Sequence, residues 1–237
     1  MGSDAGLATP IDSLCIRRWR RGPLSRQLWV PRADGRLEDW PPTPPGEAVL
    51  FDRLRQVCEE GLKIAARYDP STTGSWHPFF PAEYDAVLNT LLEVRDRPGR
   101  FLELGSGTGV IAIMADLLGF EACGIEIVPE LVSEARELAR RHGSSARFAA
   151  GSFIPTGYQW TTKDGDSRMG TVGNAAPAYP ELHCELTDFD WIYAYPWPGE
   201  AEIIRDLVRR CGAPDATLIL HRYTGGLVSF PPVENHS

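Results

Sequence analysis

The densest set of residues able to do chemistry lies in 101-FLELGSGTGVIAI-113. An apolar run carrying Glu103 passes into Gly105, Gly107 and Gly109, with the hydroxyls of Ser106 and Thr108 between them. Glycines where an apolar run ends let the backbone take positive φ and approach a ligand closely. The phosphate-cradling pattern GxxxxGK[ST] is absent, because Val110 follows Gly109. The dinucleotide pattern GxGxxG is also missed, since its third glycine would fall one residue later. Glu103 would repel a pyrophosphate and would suit a ligand bearing a positive amino group. A second acid stands in 124-GIEI-127, where Glu126 precedes Ile127 seventeen residues after Gly109. A carboxylate at that place can accept both hydroxyls of a ribose; the plainer alternative is an acid that ends a strand in solvent.

These residues need elements to hold them. Residues 100–104 read as strand 1 and 108–119 as a helix stopped by Gly119. Strand 2 is expected over 120–127, a helix over 129–143 with Pro129 opening it, and strand 3 over 146–151. Strand 4 falls at 189–195, a helix at 200–211 and strand 5 at 216–222. Strands alternating with helices imply a doubly wound α/β fold: a mostly parallel, Rossmann-like sheet with helices on both faces. Strands 1 and 2 then lie side by side, and the glycine loop and Glu126 share the carboxyl edge where such sheets bind ligands.

Upstream, apolar residues at three- and four-residue spacing predict a helix over about 46–66 and another over 82–94, with Pro81 in the first turn of the latter. Residues 1–45, rich in Pro, Arg and Gly, form an arm. The expected organisation is an N-terminal extension over 1–80 and a core over 81–237, with an insertion at 155–188 and a short C-terminus after strand 5. Within the insertion, 158–172 reads as a hairpin turning at Asp164-Gly165. The aromatic loops 69–81 and 155–188 are expected to border the ligand opening.

ELGSGTG, GIE and a strand 4 ending in FDWIYAYPWP together resemble the class I S-adenosylmethionine-dependent methyltransferases, over roughly residues 82–223. The resemblance implies that the glycine loop passes under the methionine part of S-adenosylmethionine, with Glu103 beside it. It also implies that Glu126 binds the ribose. Where an acid often meets the adenine amine, this chain has 151-GSF-153, leaving a neutral hydrogen bond from Ser152 and a packing face from Phe153. Order and brevity are also loosely similar to the protein-lysine methyltransferases of that fold.

After strand 4 such enzymes face the methyl acceptor. Those acting on planar amines carry [DNS]PP[YF] there; this chain has 195-YPWPGE-200, which disfavours that acceptor. Tyr195 and Trp197 are expected to line an aromatic slot and Glu200 to orient an incoming amine. The competing reading makes Trp197 a core aromatic and Glu200 a first-turn helix acid. The resemblance leaves the acceptor unidentified, with a protein lysine or a small molecule expected. Two rival functions stand beside the methyltransferase: a non-catalytic S-adenosylmethionine-binding sensor or scaffold, and an NAD(P)-dependent oxidoreductase, which Glu103 and the early third glycine oppose.

The totals set the outer limits. A chain of 237 residues with net charge -8 disfavours a broad nucleic-acid surface, despite the basic run 17-RRWRRGPLSR-26. Five scattered cysteines without a CxxC pair predict neither a disulfide framework nor a zinc site. His77 and His221 lack partners at metal-ligand spacing and read as structural. No apolar run is long enough to span a bilayer, and the expectation is a cytoplasmic protein.

Overall fold

Strand β1 (Arg100–Leu104) sits at the centre of the sheet because its sequence is apolar on both faces: Phe101, Leu102 and Leu104 are all buried. It pairs in parallel with β2 (Glu121–Glu126) on one side and β4 (Trp191–Ala194) on the other. Strands β3 (Arg147–Ala150) and β5 (Thr217–His221) extend it, and β6 (Leu227–Phe230) closes it antiparallel to β5. The order is β3-β2-β1-β4-β5-β6. The connection reverses direction between β1 and β4, so a crevice opens above their carboxyl ends. The computed structural model describes residues 40–68, 80–160, 175–197, 199–222 and 225–231.

Helices α1 (Ala48–Ala65), α2 (Tyr84–Val94), α3 (Val110–Leu117) and α4 (Pro129–Arg141) share one apolar core with Phe101, Tyr193 and Ile219 of the sheet. The short α5 (Tyr179–Leu182) and α6 (Ala201–Cys211) pack with Leu102, Leu104 and Ile192 on the opposite face. The N-terminal helix is tied into the fold. Gly61 lets α1 cross close to α3, since a Cβ there would overlap Val110 Cγ2. Arg53 clasps the carbonyl of His142 at the end of α4, and Arg67 pairs with Glu134 at 2.7 Å.

The helix ends follow local chemistry. Gly119, at φ 101°, stops α3: its N–H donates to the Asp116 carbonyl and that of Phe120 to the Ala115 carbonyl. Gly143, at φ 58°, does the same for α4. Helix α3 starts at Val110 rather than 108, because Gly109 takes φ 74° and belongs to the loop. Pro81 lies ahead of the Glu83 N-cap and therefore outside the first turn of α2.

Three small features carry no clear signal in the sequence. Helix α5 lies within the 155–188 connection, Pro177 of that connection pairs strand-like with Ser152 just before it, and β6 follows strand 5. The expected hairpin at 158–172 and the loop at 69–81 lie largely outside the described residues. So do the 17–26 run and His77. Among the described residues, no helix is long and apolar enough to cross a membrane.

Candidate active site

The glycine loop is folded onto the end of β2. The N–H groups of Gly105 and Ser106 both donate to the Ile125 carbonyl at 2.9 Å, and Gly109 N–H closes the turn onto the Ser106 carbonyl at 2.7 Å. Gly105, Gly107 and Gly109 take φ values of 73°, 52° and 74°, a region that side-chain-bearing residues enter at a cost. Gly109 has a second duty. A Cβ there would stand 2.6 Å from the Phe148 ring and 2.8 Å from Ala135 Cβ, so the loop needs glycine to pack against β3 and α4.

Glu126, buried at the tip of β2, holds loop and strand together. One carboxylate oxygen accepts the Gly107 N–H at 2.8 Å and the other the Val128 N–H at 2.9 Å. A carboxylate is an acceptor only, the chemistry that the two hydroxyl donors of a diol require. Ile127 follows it, half-buried. Ser106 and Thr108 are buried in the loop, and the Ser106 hydroxyl is a buried polar group without a protein partner.

Glu103 projects from β1 on the face that carries Phe101. Its carboxyl accepts the Ala112 N–H at 2.9 Å, in the first turn of α3, where the helix dipole favours negative charge. Burial nevertheless pushes its pKa well above the ordinary carboxylate range; the Ala112 bond opposes that shift and the nearby charge of Glu126 adds to it.

Beyond β4 a row of aromatic side chains begins. The Tyr195 ring stacks on His221 with centroids 4.4 Å apart, and Trp197 meets Phe80 edge-on at 5.3 Å. Buried Glu200 precedes α6 and accepts the Trp197 N–H at 3.2 Å, while its own N–H donates to the Trp197 carbonyl. The structure thus places Glu200 in the turn that presents Trp197. Ser152 and Phe153 lie past β3: the Ser152 hydroxyl accepts the Ile154 N–H, and Phe153 is packed in the second core, its carbonyl accepting the Tyr179 hydroxyl at 2.6 Å.

A chain of groups that sequence reasoning missed joins this region. Tyr193 on β4 is paired in register with Glu103, and its hydroxyl lies 3.0 Å from His221 Nδ1. Burial first, then the neighbouring Glu103, keeps the phenol protonated by pushing its pKa up. The hydroxyl and His221 Nδ1 share a hydrogen bond whose direction follows the ring tautomer, and His221 Nε2 lies 3.4 Å from the Glu83 carboxylate. His221 had one sequence signal, a polar residue at the carboxyl end of an otherwise apolar strand. Glu83 had none, being 138 residues away.

A doubly wound sheet whose glycine loop is locked to an acid at the tip of β2 is the Rossmann-like arrangement of the class I methyltransferases, and over this region the chain is similar to them. Residues 81–184 match the family model of protein-L-isoaspartate(D-aspartate) O-methyltransferase (PCMT). A stretch of 57 residues is 46% identical to ribosomal protein L11 methyltransferase of Thermus thermophilus, covering 24% of this chain and 22% of that one. Another of 70 residues is 43% identical to adenine nucleotide translocase lysine N-methyltransferase of Mus musculus, covering 29% and 31%. Among solved structures, an RNA methyltransferase from Salinibacter ruber in complex with S-adenosyl-L-homocysteine aligns with a TM-score of 0.45 at 20% identity, over 64% of this chain and 93% of that one. The chain thus matches less than a third of the length of the two curated relatives named.

Proposed function

We propose that this protein is an S-adenosylmethionine-dependent methyltransferase whose acceptor is a protein or a small molecule. The observation that carries this reading is the Glu126–Gly107 bond, which makes the acid and the glycine loop one cradle. The donor set fits the cofactor. Glu126 is an acid of the kind that accepts hydroxyl donors of a ribose diol, and Glu103 is a buried acid suited to an amino group. Ser106 offers a hydroxyl that lacks a protein partner. The proposed cofactor set is Glu103, Gly105, Ser106, Gly107, Thr108, Gly109, Glu126 and Ile127, completed by Ser152, Phe153 and Tyr195. When bound, S-adenosylmethionine supplies a methyl group already activated on a sulfonium. The protein's part is then to align the acceptor and exclude water, and Tyr195 and Trp197 are the side chains for it. Glu200 supports them by holding the Trp197 backbone. The catalytic unit is the 81–237 core, with α1 of the 1–80 extension packed against α3 and α4.

Isothermal titration with S-adenosylmethionine, S-adenosylhomocysteine and NAD tests the reading. Binding of the first two without the third is expected. Strong NAD binding with no response to the other two would overturn it. Cofactor binding with no methyl transfer to any protein or small-molecule fraction would favour a non-catalytic sensor or scaffold.

A further inference from the structure

We infer that His221 is a positioning residue for Tyr195, holding the tyrosine ring ready for the cofactor at the carboxyl edge of the sheet. The inference rests on the methyltransferase reading and deepens it. Ala194 of β4 pairs with Leu220 of β5, so Tyr195 and His221 follow as the next residue along each strand. Their rings stack with centroids 4.4 Å apart and planes 24° apart. Tyr195 is half-buried, whereas only 1% of the His221 side chain is exposed. One ring is fixed in the core, and the other lies on it at the sheet edge.

Histidine is a costly residue for this place. The rest of β5 is apolar but for Thr217, and burying an imidazole costs free energy unless its nitrogens are bonded. Both nitrogens are engaged. Nδ1 lies 3.0 Å from the Tyr193 hydroxyl. Nε2 lies 3.4 Å from the Glu83 carboxylate, which also accepts the Gly226 N–H at 3.3 Å. The torsion that turns a histidine ring about its Cβ–Cγ bond is broad, so the rotamer alone does not set the ring plane. Partners on two edges of the ring do set it. An apolar ring would give Tyr195 a stacking face, but not one oriented from β4 on one side and from the start of α2 on the other. Tyr193 is itself buried and paired in register with Glu103, so the brace is continuous with the strand that leads into the glycine loop. A tyrosine ring ordered in advance loses less side-chain freedom when the cofactor arrives.

The experiment measures S-adenosylhomocysteine affinity of the full chain by calorimetry in a double-mutant cycle, with thermal melts to follow folding. His221→Ala should weaken binding about three- to tenfold, the scale of immobilising one side chain on binding. In a Tyr195→Ala background the same change should have no effect, because the ring it positions is gone. His221→Phe restores a stacking face without the nitrogens and should recover part of the affinity. Tyr193→Phe keeps both rings and removes one hydrogen bond. It should weaken binding about twofold or more, within the scale of a neutral hydrogen bond, and it decides the matter if His221→Ala does not fold. Unchanged affinity in His221→Ala or in Tyr193→Phe overturns the inference. Equal losses with and without the Tyr195 ring overturn it too, since His221 would then act only on the fold. Full recovery in His221→Phe would make the nitrogens idle, and no recovery would make the stacking idle; either result overturns it. Failure of wild type to bind S-adenosylhomocysteine removes the methyltransferase reading, and this inference with it.

Discussion

The Glu126 carboxylate and the Gly107 amide are 2.8 Å apart, so the acid at the tip of β2 is also the anchor of the loop on β1. Its other oxygen is committed to Val128 N–H. Replacing Glu126 therefore changes two things at once, the proposed acceptor for a ribose diol and the shape of the glycine loop. Glu126→Ala should weaken cofactor binding by about 1.5–3 kcal/mol, the scale of hydrogen bonds to a charged group. Glu126→Gln should do nearly as badly, because its amide nitrogen would point a donor at a backbone donor. Titration with an analogue lacking the ribose hydroxyls separates the two effects. Part of the loss should persist with that analogue. If none does, the Gly107 bond contributes nothing to the cradle.

Gly105 and Gly109 should respond differently to the same change. Gly109→Ala places a methyl against Phe148 and Ala135 at φ 74°, so it should cost about 1–3 kcal/mol of stability. Gly105→Val bears backbone strain of its own at φ 73° and should in addition abolish cofactor binding, while the sheet still folds. Thermal melts and calorimetry on both variants check this. Equal loss of melting temperature and equal loss of affinity in the two would leave no distinction between the packing glycine and the one proposed to face the ligand.

The contrast between these glycines shows what the sequence revealed. The parallel strands were legible because burial on both faces leaves continuous apolar runs such as 100-RFLEL-104. The helix ends were legible at Gly119 and Gly143, whose positive φ values are a local requirement. The loop and Glu126 could be read as partners because they end adjacent strands. Strand β6 could not: its four residues, all half-buried, give no periodicity to detect, and its place is set by pairing with β5. The same holds for Glu83 and His221. Nothing local in either residue specifies the other, and only the return of β5 beside β4 brings them together. Glu200 was read two ways, and its bond to the Trp197 amide is a detail of turn geometry that residue type alone does not fix.

The close crossing of α1 over α3 gives a test of how far the N-terminal helix belongs to the core. Gly61→Ala should destabilise the protein by about 1–3 kcal/mol through overpacking against Val110. Val110→Ala alone should cost stability by opening a void. Combined, the two should cost less than their sum, because the added methyl fills space that the valine vacates. Chemical denaturation of the two single variants and the double variant measures the coupling. Strict additivity would mean that α1 shifts as a body and does not sit rigidly on α3.

Glu103 should make stability depend on pH. Burial raises its pKa in the folded chain above the ordinary value of 4.5. In acid, folded and unfolded chains both hold the proton, and Glu103 costs nothing. As pH rises through the ordinary carboxylate range, the unfolded chain releases its proton while the folded chain retains it. The folded state then binds more protons, and stability falls with pH until the folded pKa is passed. Glu103→Gln keeps an oxygen for the Ala112 N–H and removes that slope. Its melting temperature should lie close to wild type near pH 4 and rise above it progressively toward neutral pH, a window bounded below by the ordinary carboxylate pKa. Ligand binding should reverse the shift, because an amino group beside Glu103 favours the ionised carboxylate. Binding of S-adenosylmethionine to wild type should therefore release protons, visible as a binding enthalpy that depends on the buffer, and Glu103→Gln should lack that dependence. Parallel melting curves for the two proteins across the pH range would show that Glu103 is ionised in the fold and that its burial is fully compensated.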